Sequence, residues 1–170
     1  HNCNYCYARS LLHFRGLWDA AHPRVADIEK VRRKIRSLPS GSIIRLGGMT
    51  DCFQPCELQY RTTYQTIQEM NLCRVSYLIV TKSALPAAPE YLEILDKELA
   101  HIQITVTCLD DAQTAQFEKA SPPSQRIRAI QALQAEGYDV AIRLSPIVEE
   151  YMDKVNAKIG TDYKLFNYYG

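Results

Sequence analysis

Four short apolar stretches, separated by amphipathic ones, constrain this chain more than any other feature. They run from Ile43 to Leu46, Val75 to Val80, Ile102 to Val106 and Val140 to Leu144. Each has strand length, and turn formers follow three of them: Gly47-Gly48, Thr81-Lys82-Ser83 and Pro146. Between them the apolar period becomes helical. Val25, Ile28, Val31, Ile35 and Leu38 share one face before Pro39-Ser40-Gly41. Residues 57–71 read as one helix with Tyr60, Tyr64 and Ile67 aligned, and residues 89–100 as another with Leu92, Leu95 and Leu99 inward. Two further helices are predicted over 111–119 and 123–136, the second stopped by Gly137. The first strand is expected to be buried.

Strands that alternate with helices imply parallel βα units, so the class is α/β. An open doubly wound sheet and a barrel both satisfy that order. The last two strands favour the barrel. Ile102, Ile104 and Val106 alternate with Gln103, Thr105 and Thr107, and Val140, Ile142 and Leu144 alternate with Ala141, Arg143 and Ser145. A strand between two helix layers is apolar on both faces. One with a polar face suits a barrel whose lumen holds a polar ligand. Residues 1–22 and the aromatic tail from Glu149 carry no clear period.

With 46% apolar and 23% charged residues, positions 1–170 suit a single folded domain. The formal net charge of +1 neither indicates nor excludes a nucleic-acid partner. No apolar run reaches about 18 residues, so no membrane span is expected, and no signal peptide is visible. A cytoplasmic location is the expectation.

A chain with this much core does not need its six cysteines for disulfides. Cys3 and Cys6 form a CxxC, which by itself fits a zinc knuckle, a redox dithiol or an iron–sulfur ligand pair. Cys52 and Cys56 are expected to pack rather than ligate, and Cys73 and Cys108 to be core thiols. Glu118 and Arg126 read as a structural ion pair. Tyr60 and Tyr64 read as helix packing.

The opening His1-Asn2-Cys3-Asn4-Tyr5-Cys6-Tyr7-Ala8-Arg9 resembles the cluster loop of radical S-adenosylmethionine enzymes, in the branch related to spore photoproduct lyase. Gly47-Gly48-Met49-Thr50-Asp51 resembles that branch's glycine-rich turn after a strand. Gln54-Pro55-Cys56-Glu57 resembles its QPxE, and Thr81-Lys82 its strand-ending TK. Phe117-Glu118, Ser121-Pro122-Pro123-Ser124-Gln125-Arg126, Ala135-Glu136-Gly137 and the strand from Val140 to Ile147 follow in the same order.

The resemblance implies a partial (β/α) barrel of the radical S-adenosylmethionine type, truncated at both ends. It implies a [4Fe–4S] cluster held by a CxxxCxxC loop, with Cys3 and Cys6 as the second and third ligands. The first would lie two residues before His1. The cluster's open iron would bind S-adenosylmethionine. Tyr5, Gly47, Gly48, Thr50, Asp51, Lys82, Thr105 and Arg143 are the implied cofactor-binding residues. Lys82 would pair with the methionyl carboxylate, and Arg143 with the cofactor, an anionic substrate or a buried acid. Asp51 would accept from the ligand or brace its own turn. No catalytic side chain is assigned. The implied activity is reductive cleavage to a 5′-deoxyadenosyl radical that abstracts hydrogen from a substrate, with nucleic acid as one option and flavodoxin or ferredoxin as electron donor. The alternative is a non-catalytic metal- or nucleic-acid-binding module on the same fold.

Overall fold

A computed structural model describes residues 1, 3–19, 21–146 and 165–166. Apart from Leu165 and Phe166, the tail read from Glu149 lies outside the described residues, as does Ile147. Five strands, β1 (Ile43–Leu46), β2 (Ser76–Thr81), β3 (Ala100–Thr105), β4 (Asp139–Arg143) and β5 (Leu165–Phe166), form one all-parallel sheet in chain order. A doubly wound sheet reverses its strand order at a switch point. This one does not, and successive right-handed crossovers put their helices on one face. The sheet is therefore an arc of a (β/α) barrel.

The register turns strand alternation into two faces. Ile104 pairs with Ile142 and Ile102 with Val140, and all four side chains are buried in the core with Ile67, Ile130 and Leu133. Thr105 pairs with Arg143 on the opposite face. The expected polar face thus lies side by side on β3 and β4.

Several elements depart from expectation. β1 is an exposed edge, with Ile43 65% accessible, because among the described strands only β2 flanks it. Residues 7–14, unassigned from sequence, form α1 (Tyr7–Phe14), pinned by buried Ala8. α2 (Ile28–Arg36) starts after Val25, where the Asp27 carboxylate accepts from the N–H groups of Glu29 and Lys30 at 3.0 and 3.3 Å.

The single helix expected over 57–71 is two, α3 (Glu57–Tyr60) and α4 (Thr62–Leu72). Arg61 breaks them with φ of +53°. Glu57 makes the break stable. Its buried carboxylate accepts from the N–H groups of Thr63 and Tyr64 at 2.8 and 2.9 Å, the free donors at the start of α4, and from the Tyr91 hydroxyl at 2.6 Å. Tyr64 packs on Tyr91 as expected, with ring centroids 5.7 Å apart, but the break leaves Tyr60 45% exposed.

α5 (Pro89–Leu92) is far shorter than the predicted helix, although Leu95 and Leu99 do face the core. The N–H of Asp96 donates to the Tyr77 hydroxyl and the Asp96 carboxylate accepts from the N–H of Glu98, so the chain turns instead. α6 (Asp111–Ala115) also stops early, and α7 (Pro123–Ala135) matches expectation closely.

Candidate cofactor site at the C-terminal rim of the sheet

The strand ends and the cysteine loop enclose a cavity of about 460 Å³. Cys3 and Cys6 line it, together with Tyr5, Gly47, Gly48, Thr50, Asp51, Lys82, Thr105 and Arg143. All ten residues singled out by the sequence therefore meet in one place.

The loop between the thiols turns tightly, with the N–H of Cys6 donating to the Cys3 carbonyl at 3.2 Å. Its outer side docks on residues 116–118. The Asn4 N–H donates to the Phe117 carbonyl at 2.9 Å, and Asn4 Nδ2 to the Gln116 carbonyl at 3.1 Å. The Tyr5 hydroxyl donates to Glu118 Oε1. Burial, and then that carboxylate, push the Tyr5 phenol far above its ordinary range, so it is a fixed donor. Glu118 also accepts from Thr107 Oγ1 at 2.8 Å and from Arg126 Nη2 at 2.5 Å. The Glu118 and Arg126 side chains are fully buried, in line with the ion pair read from the sequence. Arg126 donates further to the carbonyls of Ser121 at 2.6 Å and Thr105 at 2.9 Å.

The opposite wall is the turn after β1. Gly47 has φ of +86°, and a Cβ there would lie 2.3 Å from the Val80 carbonyl oxygen. Only glycine lets this turn lie against β2. Gly48 is different, since a Cβ there would meet nothing within 4 Å. Asp51 Oδ1 accepts from the Phe53 N–H at 2.9 Å and Thr81 Oγ1 at 2.7 Å, and Oδ2 from the Lys82 N–H at 2.7 Å. The bracing reading of Asp51 therefore has its donors in place. His1 Nδ1 lies 3.2 Å from Asp51 Oδ2 without hydrogen-bond geometry.

Lys82 is half-buried. Its ammonium donates to the Ser145 carbonyl at 3.2 Å and lies 5.6 Å from the centre of the Tyr5 ring. Burial pulls it below the ordinary lysine range. Thr50 is exposed at the mouth, Thr105 is buried, and Arg143 is half-buried on the wall. Arg45 and Trp18, which sequence reasoning did not single out, line the same cavity, as do Tyr7, Gln54 and Ser145, which the motifs and polar strand face contain but to which they assign no cofactor role. Arg45 had a signal, because it alternates with Ile44 and Leu46 as Arg143 does with Ile142 and Leu144. Trp18 follows a helix in an unpatterned segment and had none.

Among the described residues, no three His, Cys, Asp or Glu side chains converge as a metal site. Cys3 and Cys6 nevertheless supply two soft thiol donors to one cavity, with cations beside them, and this donor chemistry fits an iron–sulfur group. At Cys52, burial pushes the thiol well up, which keeps it protonated and a poor ligand.

The Radical SAM superfamily profile matches residues 1–155. The chain belongs to the radical SAM superfamily. The cofactors of that superfamily are a [4Fe–4S] cluster and S-adenosylmethionine. Solved structures of spore photoproduct lyase share the fold. One, complexed with dinucleoside spore photoproduct, is 15% identical with a TM-score of 0.66, covering 94% of this chain and 49% of that one. Another, a double mutant with bound AdoMet and dinucleoside spore photoproduct, is 16% identical with a TM-score of 0.68 and the same coverage. A third, a single mutant, is 12% identical with a TM-score of 0.67, covering 92% of this chain and 47% of that one. This radical SAM chain thus spans about half the length of those structures. No curated protein matches it. No helix among the described residues is long and apolar enough to cross a membrane.

Proposed function

We propose that residues 1–170 are the core of a radical SAM enzyme in which Cys3 and Cys6 hold two irons of the cluster. The observation that supports this best is the convergence of both thiols, Lys82 and Arg143 on one cavity at the C-terminal strand ends, where barrel enzymes place their chemistry. When bound, the cluster and S-adenosylmethionine supply one-electron cleavage of the sulfonium and hydrogen abstraction from the substrate.

The chain's own residues bind, orient and exclude water. The ammonium of Lys82 pairs with the methionyl carboxylate, and the Arg143 guanidinium holds a second anionic group on the same wall. Thr105, beside Arg143, and Thr50 at the mouth offer hydroxyls, and exposed Gly48 leaves backbone open to the amine. Asp51 keeps the Gly47–Asp51 turn and the backbone of Lys82 in register. Tyr5 closes the loop side of the cavity.

The proposed substrate is nucleic acid. Trp18 and Tyr7 offer faces on which a base can stack, and Arg45 offers a phosphate contact at the exposed edge. Two of the spore photoproduct lyase structures that share the fold hold a dinucleoside spore photoproduct. A flavodoxin or ferredoxin would supply the electron, and the cytoplasm is the matching compartment.

The test is anaerobic reconstitution of the full-length protein with iron and sulfide, followed by dithionite and S-adenosylmethionine. Release of 5′-deoxyadenosine is the expected result. A protein with an intact cluster that cleaves no cofactor would refute the enzyme reading and leave the non-catalytic binding module.

A further inference from the structure

We infer that Glu118, locked by Arg126, is the positioning residue that sets the shape of the cysteine loop from outside the cofactor cavity. The inference rests on the proposal that Cys3 and Cys6 hold the cluster.

Within the loop, one backbone bond, from the Cys6 N–H to the Cys3 carbonyl, joins the two cysteines. Between them, the polar contacts of Asn4 and Tyr5 run to residues 116–118: Asn4 through its N–H and side-chain amide, Tyr5 through its hydroxyl. The Tyr5 ring adds a tilted contact to Phe117, 6.1 Å between centroids. The last of these platform residues, Glu118, is itself immobilised. It is fully buried as a side chain, it accepts from Tyr5, Thr107 and Arg126, and Arg126 is tied to the carbonyls of Ser121 and Thr105. The loop therefore rests on residues 116–118, which Arg126 ties to the end of β3.

Stability alone does not explain such a pair. A buried ion pair is commonly no more stabilising than apolar residues of the same volume, because desolvation offsets the attraction. An apolar pair would fill the space equally well but could not grip a phenol in a fixed direction. What the charged pair supplies is direction. Groups behind metal ligands orient them in this way, and losing one typically weakens metal binding about 10–100-fold. The same anchor holds the Tyr5 ring that faces the Lys82 ammonium. One buried hub thus places a thiol loop and the cation across from it.

The test uses the full-length protein as parent, Tyr5→Phe and Glu118→Gln, each reconstituted anaerobically. Three quantities are read: the rate at which a chelator bleaches the cluster, the electron paramagnetic resonance spectrum of the reduced cluster, and the melting temperature of the metal-free protein. Tyr5→Phe leaves the ion pair whole and cuts only the tether. It should bleach about tenfold faster with an altered spectrum, while its metal-free melting temperature stays at the parent value. Glu118→Gln should show the same spectral change with a lower melting temperature. A Tyr5→Phe protein with the parent's bleaching rate and spectrum overturns the inference. A parent that assembles no cluster overturns instead the function on which the inference rests, and the iron assay on the parent separates the two failures.

Discussion

The two ends of the sheet treat charge in opposite ways. At the N-terminal ends of the strands, His101 and Asp139 pair at 2.9 Å with nearly half of each side chain in solvent. Arg74 spans Asp96 and Glu98 at 2.8 and 2.6 Å from an exposed position. At the C-terminal ends the Glu118 side chain is fully buried, Asp51 is largely enclosed, and each carboxylate accepts three hydrogen bonds. Exposed pairs contribute little, since water and salt screen them and long side chains must be ordered to form them. Enclosed carboxylates are kept where a fixed direction is required. The contrast separates an end of the fold whose ion pairs stay in solvent from one whose carboxylates hold loops in place.

The sharpest way to break the contrast is to delete its deepest member. Glu118→Ala leaves the Arg126 guanidinium buried without its partner and should cost about 3–5 kcal/mol, read as a large fall in melting temperature. A fall no bigger than that of an exposed-pair variant would end the comparison. Gly47→Ala comes next. Its new Cβ would strike the Val80 carbonyl in a left-handed backbone, so denaturant melts should show a loss of about 3 kcal/mol.

Lys82→Ala sharpens the comparison differently, because it touches binding more than folding. Loss of one charge-assisted bond, about 1.5–3 kcal/mol, should weaken S-adenosylmethionine roughly 10–100-fold by calorimetry with the fold intact. The pH dependence has a definite sign. Burial lowers the affinity of Lys82 for its proton. Parent affinity should therefore be full while the ammonium is charged and fall as pH rises through that lowered value, earlier than for an exposed lysine. The smallest effect belongs to the far end: Arg74→Ala should leave the melting temperature within error of the parent, a result that also sets the baseline for the other variants.

Much of this was legible in the primary structure, and the rest was hidden for identifiable reasons. Period-two alternation placed Thr105 and Arg143 on one face because strand geometry leaves them no choice. The turn residues after β1 and β2 marked the rim. The break at Arg61 was not legible, because the Glu57 carboxylate that stabilises it is recruited by Tyr91, which lies 34 residues away. The exposure of β1 depends on which strands flank it, and its own apolar run carries no record of that. The tie between Tyr5 and Glu118 bridges 113 positions, beyond the reach of any local pattern. Trp18 enters the cavity from a segment with no period at all.

That last separation sets an order of events during synthesis. The thiols leave the ribosome before the platform that shapes them, which includes Glu118 and is complete only when Arg126 has emerged and β3 is paired. Contacts this distant along a chain form late, so until then Cys3 and Cys6 lack the platform on which their loop rests. In the proposed enzyme, metal delivery that waits for the finished domain would find the two sulfurs already posed, whereas iron met earlier would find them without that support.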